Sequence, residues 1–187
     1  MNGPVTLATR FTLFRILLVP CFVACLIYYR PDRDYLRWAA FFLFMGGVLS
    51  DGLDGLIARS LSQHSSLGKV LDPLADKLLL LTAFISCSVL ETLPEFFRIP
   101  PWITILVISR DLMIVIGACV IFLLTQHLEI KPSRLGKTTT FFQMLTILSV
   151  LLGLPIRSLL WNAAALLTVA SGVGYLQYGS RLLNHSV

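Results

Sequence analysis

Two pairs of aspartates stand out in a chain that carries few charges. Asp51 and Asp54 lie three residues apart in Ser50-Asp51-Gly52-Leu53-Asp54-Gly55-Leu56-Ile57-Ala58-Arg59, and Asp72 and Asp76 lie four apart in Gly68-Lys69-Val70-Leu71-Asp72-Pro73-Leu74-Ala75-Asp76-Lys77. On helices these spacings put each pair on one face. Four carboxylates held together repel one another strongly where the effective dielectric is low, so cations or protons must sit among them. Oxygen-only ligands suit hard divalent ions such as Mg²⁺, Mn²⁺ or Ca²⁺, and four carboxylates suffice for two ions. A pair of metals a few ångströms apart is the usual clamp for displacement at phosphorus, holding the attacking and the leaving oxygen. The bland alternative is a set of helix-end acids neutralised by Arg59, Lys69 and Lys77.

The glycines between the acids favour the first reading. A glycine inside a helix costs roughly 1 kcal/mol relative to alanine, a cost that makes sense where something large must approach the backbone closely. Gly55, Ala58 and Arg59 lie three to four residues apart on the carboxylate side, as a floor with a cation at its rim, suited to a nucleotide. Close helix packing is the competing use of such glycines, above all for Gly46 and Gly47.

The elements that must position these groups are membrane helices. Of 187 residues, 56% are hydrophobic and only 13% charged, and the mean hydropathy is +0.82, which excludes a disordered, collagenous or disulfide-scaffold chain. Apolar runs of about 17–25 residues occur at Phe11–Tyr29, Leu36–Ala58, Val70–Leu90, Trp102–Leu124, Thr138–Leu154 and Leu159–Tyr178. Breaks such as Arg30-Pro31-Asp32, Ser60–Lys69, Pro100-Pro101, Lys131-Pro132-Ser133 and Leu154-Pro155 separate them. Only helices satisfy their own backbone in lipid, so the expectation is an all-α polytopic membrane protein of about six transmembrane helices, with residues 1–187 as one domain. The mildly amphipathic stretch Asn2–Thr12 is compatible with a short interfacial helix. The first span lacks a small-x-small cleavage site and reads as a membrane helix, not a secretory signal.

The short break Ser60–Gly68 makes the second and third helices antiparallel neighbours, so all four acids converge at similar depth. Lys and Arg counts set which side that is. Arg10, Arg15, Arg59, Lys69, Lys131, Arg134, Lys137 and Arg181 fall on one side, against Arg30, Arg33, Arg37, Arg98 and Arg157 on the other. The first side, with both termini and the acids, is therefore expected to be cytoplasmic. The net charge of +5 reads as contact with an anionic leaflet, and no feature suggests nucleic acid. Cys21, Cys25, Cys87 and Cys119 form no CxxC pair and are expected in the apolar core.

At this point the residues match a known pattern. Asp51-x2-Asp54-Gly55-x2-Ala58-Arg59-x8-Gly68-x3-Asp72-x3-Asp76 resembles, without a mismatch, the motif of the CDP-alcohol phosphotransferases. The resemblance implies transfer of a phosphatidyl group from CDP-diacylglycerol to an alcohol with release of CMP, in the cytoplasmic membrane, by a homodimer. It also implies that Asp51, Asp54, Asp72 and Asp76 hold two divalent cations, Mg²⁺ or Mn²⁺, that Gly55, Ala58, Arg59 and Gly68 line the CDP site, and that Asp76 takes the acceptor's proton.

The acceptor is sought among the remaining cations. Arg110 lies midway along an apolar span, where a charge wants an anion. Asp111 is adjacent but projects about 100° away on a helix, which makes an acceptor phosphate the better expected partner. Lys131, Ser133, Arg134 and Lys137, entering the fifth span, are further acceptor candidates; a basic collar for anionic lipid is their alternative use. These positions, with Thr12-x2-Arg15-Ile16 through Pro20 and Gly136-Lys137-Thr138 to Gln143, resemble the phosphatidylglycerophosphate synthase subgroup, which implies glycerol 3-phosphate as acceptor. Many of those synthases carry Arg-Glu where this chain has Arg110-Asp111, and asparagine where it has Thr9. Arg-Asp is common in the related cardiolipin synthases, which use phosphatidylglycerol. A different class, a cation channel or transporter, would use the acids as an ion path; clustering at one face with no counterpart in the other half of the chain weighs against it.

Overall fold

The computed structural model describes residues 7–61, 68–125 and 134–185, with side chains described for 14–50, 77–117 and 134–177. The described residues form helices α1 (Leu7–Ile27), α2 (Tyr35–Leu61), α3 (Gly68–Val89), α4 (Pro101–Thr125), α5 (Arg134–Leu151) and α6 (Arg157–His185), with 3₁₀ turns at Pro31–Arg33 and Glu95–Phe97 and no strand among them. The all-α expectation holds, and each predicted span corresponds to one helix. The described part of the stretch expected as an interfacial helix, residues 7–12, is continuous with α1. Among the described residues, segments Glu95–Gly117 and Arg157–Gln177 are long and apolar enough to cross a membrane, whereas Phe14–Ile27, Tyr35–Ser50 and Lys77–Val89 are shorter apolar helices.

The chain divides into two compact units. The first comprises residues 1–98 with 147–154, and α1 packs on both α2 and α3, which also touch each other. The pattern of burial follows the helical repeat. Arg15, Leu18, Phe22 and Leu26 are the buried stripe of α1, and Ala40, Phe44, Gly47 and Ser50 that of α2. Phe22 and Phe44 meet with ring centroids 5.9 Å apart. Close contact is a main source of cohesion between these helices. Gly47 supplies that closeness: a Cβ there would collide with Leu79 Cδ2 and lie 3.8 Å from Leu18 Cδ1. Cys87 is buried as expected, but Cys21 is exposed, because residue 21 falls off the stripe defined by residues 18, 22 and 26.

Ionic and backbone bonds finish one end of this unit. Arg37 grips Asp34 with two 2.8 Å bonds from Nε and a terminal nitrogen, and donates from its other terminal nitrogen to the Leu151 carbonyl at 3.2 Å. That guanidinium holds the Asp34 carboxyl below its ordinary range. Arg98 donates to the carbonyls of Leu93 and Glu91, and Thr92 to that of Leu26. Helix α5 ends in a Schellman turn, with Leu154 N–H bonded to Ser149 O at 2.9 Å, Gly153 N–H to Val150 O at 3.0 Å, and Gly153 at φ +65°.

The second unit, residues 99–146 with 155–187, packs α4 against α6 and joins α5 to α6 by hydrogen bonds. Gln143 Nε2 donates to Thr168 Oγ1 at 3.1 Å, and Thr139 Oγ1 is bonded to the Leu135 and Leu167 carbonyls at 2.7 and 3.1 Å. Thr168 in turn donates to the Ala164 carbonyl at 2.6 Å. Such bonds are the usual glue where a hydrophobic driving force is absent.

Gly153→Ala is expected to destabilise the first unit by about 1 kcal/mol or more, since left-handed backbone disfavours a Cβ and this Cβ would lie 2.8 Å from Phe96 Cε1 and 3.0 Å from Phe97 Cε1. Gly174→Ala, in open space on α6, is expected to leave stability unchanged or slightly raised. Thermal unfolding of the two variants in detergent distinguishes them; equal melting temperatures would contradict the assignment of Gly153 as a steric requirement.

Candidate functional site

The register of α1, α2 and α3 determines how deep each aspartate lies. Contact of Leu18 with the Gly47 position and of Phe22 with Phe44 shows α1 and α2 running antiparallel. Gly47 also sits against Leu79, which fixes α2 against α3. Were those two parallel, about 21 Å of helix from Gly47 to Leu61 and about 16 Å from Gly68 to Leu79 would lie on opposite sides of the contact. The chain from Leu61 to Gly68 reaches only about 25 Å at full extension, so α2 and α3 must be antiparallel.

Helix rise then sets the levels. Asp51 and Asp76 each lie about one turn beyond the Gly47–Leu79 contact, and Asp54 and Asp72 each about 10 Å beyond it. The four acids thus occupy two levels, one from each helix at each level. Their register positions continue the stripes below them: 40, 44 and 47 lead to 51, 54 and 58 on α2, while 87, 83 and 79 lead back to 76 and 72 on α3. Gly55, Ala58 and Arg59 follow toward the end of α2, and Gly68 is the first residue of α3. The side chains of residues 51–76 lie outside the described set, and no group of three or more His, Cys, Asp or Glu is placed to share a metal among the described residues. The donor set is nonetheless chemically suited to hard divalent cations, being all carboxylate and carrying enough negative charge for two of them.

The acceptor candidates are in the second unit. Arg134 is the first residue of α5 and Lys137 lies in its first turn, both exposed, with the buried Gly136 between them. Lys131 and Ser133 lie outside the described residues. Arg110 is buried, at 6% exposure, and contrary to expectation its anion is Asp111, at 2.7 Å from a terminal nitrogen. The reason is the width of the buried stripe on α4. Residues 103, 107 and 110 mark one of its edges and 104, 107 and 111 the other, so the two Cβ atoms diverge while the long arginine reaches across to its neighbour. A second terminal nitrogen donates to Ser171 Oγ on α6 at 2.9 Å, and the guanidinium lies 5.6 Å from the Tyr175 ring centroid. Arg110 Nε alone of its nitrogens is a buried donor with no hydrogen-bond partner, beside an open apolar groove of about 490 Å³ lined by Ser109, Met113, Val169 and Gly172, among others.

The sequence marks Arg15 only as a positive charge and as part of the subgroup resemblance. The structure buries it, at 1% exposure, at the head of the α1 stripe. Its spacing from Leu18, Phe22 and Leu26 was the available signal.

Comparison with known proteins adds four findings. The family model described as CDP-alcohol phosphatidyltransferase matches residues 5–173. A protein of Aquifex aeolicus named CDP-diacylglycerol–glycerol-3-phosphate 3-phosphatidyltransferase is 37% identical over 153 residues, covering 80% of this chain and 75% of its own. One of Mycobacterium tuberculosis H37Rv, named "Probable phosphatidylglycerophosphate synthase", is 34% identical over 176 residues, covering 91% and 79%. Human cardiolipin synthase (CMP-forming) is 28% identical, covering 96% of this chain and 64% of its own.

Removing one member of a buried ion pair leaves the other charge uncompensated, whereas replacing both can be nearly neutral. Asp111→Ala is therefore expected to cost about 3 kcal/mol of stability, and the double variant Arg110→Met/Asp111→Leu much less. Melting temperatures of the purified variants check this; additive losses would show the pair to be uncoupled.

Proposed function

The chain belongs to the CDP-alcohol phosphatidyltransferase family, and we propose from that premise that it transfers the phosphatidyl group of CDP-diacylglycerol to glycerol 3-phosphate, forming phosphatidylglycerophosphate and CMP in phospholipid biosynthesis. The observation that carries the reading is the family match across both units, with relatives of 34–37% identity whose names state this reaction or its product. The juxtaposition of one aspartate from each of α2 and α3 at each of two levels supports it independently.

The chemistry follows from the residues. A hydroxyl oxygen of the acceptor attacks the phosphorus that bears the diacylglycerol. A new P–O bond forms, the P–O bond to CMP breaks, and CMP departs with the electron pair. Asp76 accepts the hydroxyl proton, a role that requires one carboxylate oxygen within hydrogen-bond reach of the acceptor. Asp51, Asp54, Asp72 and Asp76 would hold two divalent cations, Mg²⁺ or Mn²⁺, whose chemistry when bound is to neutralise the pyrophosphate and stabilise the leaving oxygen. Gly55 and Ala58 let the nucleotide approach the α2 backbone, Arg59 neutralises phosphate charge at the rim, and Gly68 keeps the start of α3 clear.

Exposed Arg134 and Lys137 present positive charge at the N-terminus of α5, where backbone N–H groups also favour an anion. With Lys131 and Ser133 they are the proposed ligands of the acceptor phosphate. Arg110, already matched by Asp111, offers its Nε. In this reading all six helices cross the cytoplasmic membrane, residues 1–187 act as one domain with both termini and the acids toward the cytoplasm, and the protein works as a homodimer.

Purified protein in detergent, given CDP-diacylglycerol and Mn²⁺, is expected to release CMP when glycerol 3-phosphate is added, to lose that activity with EDTA, and to regain it with excess Mn²⁺. Asp72→Asn and Asp76→Asn are each expected to lower the rate by about 10²-fold or more while leaving the melting temperature near that of the parent. Near-parental rates in either variant would overturn the site. CMP release with phosphatidylglycerol and none with glycerol 3-phosphate would reassign the acceptor to that of the cardiolipin synthases.

A further inference from the structure

Arg15 presents a physical problem that the reaction scheme leaves open. Among the described residues of α1 it shares the buried stripe with Leu18, Phe22 and Leu26, all apolar, and it is itself only 1% exposed. Arginine stays ionised in proteins, and a buried cation persists only where anions offset its lost hydration.

The register identifies those anions. Leu18 and Leu79 both meet the Gly47 position, so residues 18, 47 and 79 share one depth. Thr92, just beyond α3, bonds the Leu26 carbonyl near the end of α1, so α1 and α3 run in the same direction while α2 runs against them. Arg15 precedes Leu18 by about 4.5 Å of helix rise. The same displacement along α3 arrives at Asp76, and along α2 at the turn that holds Asp51. Helical side chains lean toward the N-terminus of their own helix, which from residue 15 of α1 is the direction of Asp54 and Asp72. The other acids of this unit are distant: Asp34 belongs to the clamp at the start of α2, and Asp32, Glu91 and Glu95 flank the same end, near Leu26, about 16 Å from Arg15 along α1.

We infer that Arg15 is the internal counter-ion of the aspartate cluster, a positioning residue that offsets the mutual repulsion of the inner pair, Asp51 and Asp76, when divalent cations are not bound. Its burial separates it from Arg59, whose proposed place is with the nucleotide phosphates. The inference rests on the metal-binding reading of the four aspartates. It makes one charge, supplied by α1, part of a site whose ligands come from α2 and α3.

The test measures thermal unfolding of the purified, substrate-free protein at pH 8 with and without Mn²⁺, together with Mn²⁺ binding followed by the electron paramagnetic resonance of the free ion. A counter-ion and a divalent cation offset the same charge, so Arg15→Gln is expected to lower the melting temperature more in EDTA than in saturating Mn²⁺. The variant is also expected to reduce the Mn²⁺ half-saturation concentration at least severalfold, and Arg15→Lys to restore both values toward the parent. A melting temperature lowered equally with and without Mn²⁺, or unchanged Mn²⁺ binding, means that Arg15 serves packing alone and overturns the inference while leaving the proposed reaction intact. A parent protein indifferent to Mn²⁺ overturns the metal reading and this inference with it. Should Arg15→Gln fail to fold, Arg15→Gln/Asp51→Asn decides: recovery of a folded protein supports the pairing, and continued failure overturns it.

Discussion

A charge taken out of water costs several kcal/mol unless an opposite charge and hydrogen bonds receive it, and only 13% of the residues in this chain are charged. Arg110 and Asp111 sit at the two edges of one buried stripe, neutralise each other, and extend through Ser171 to α6. Arg37 and the half-exposed Asp34 pair at the start of α2, where the guanidinium also donates to the last carbonyl of α5. Arg15 stands at the head of an apolar stripe on α1, level with acids on the two helices it packs against. Helix pairing and charge compensation are thus one requirement met by the same side chains.

What remains of the cohesion comes from close contact and hydrogen bonding. Gly47 brings α2 within reach of Leu79 and Leu18, so that three helices share one level. Thr139, Gln143 and Thr168 join α5 to α6 in the second unit, through Gln143 Nε2 to Thr168 Oγ1 and Thr139 Oγ1 to the Leu167 carbonyl. The Schellman turn at Gly153 ends α5 against Phe96 and Phe97, where a side chain would not fit. These contacts hold the backbone positions from which the candidate catalytic residues project.

For a phosphatidyltransferase this arrangement separates tasks among helices. The acids come in pairs from α2 and α3, the cations proposed for the acceptor phosphate stand at the start of α5, and the charge balance proposed for the acid cluster draws on α1. Arg110 is a separate case: its main partner is on its own helix, and Nε is left as a buried donor without a hydrogen-bond partner.

Much of this was legible from residue order alone, because the relevant signals are periodic along one helix. Spacings of three and four put the aspartates in pairs, apolar runs marked all six helices, and proline and glycine marked the breaks between them. The same periodicity, applied too literally, separated Arg110 from Asp111 by about 100° and missed that a long side chain crosses that angle on a wide buried stripe. It also put Cys21 in the core, although the stripe passes it by. Depth is the quantity that one helix's sequence does not contain. That Asp51 stands level with Asp76, Asp54 with Asp72, and Arg15 with the inner pair follows from the meeting of Gly47 with Leu79 and Leu18. Such a meeting is decided by which side chains from distant parts of the chain can pack closest.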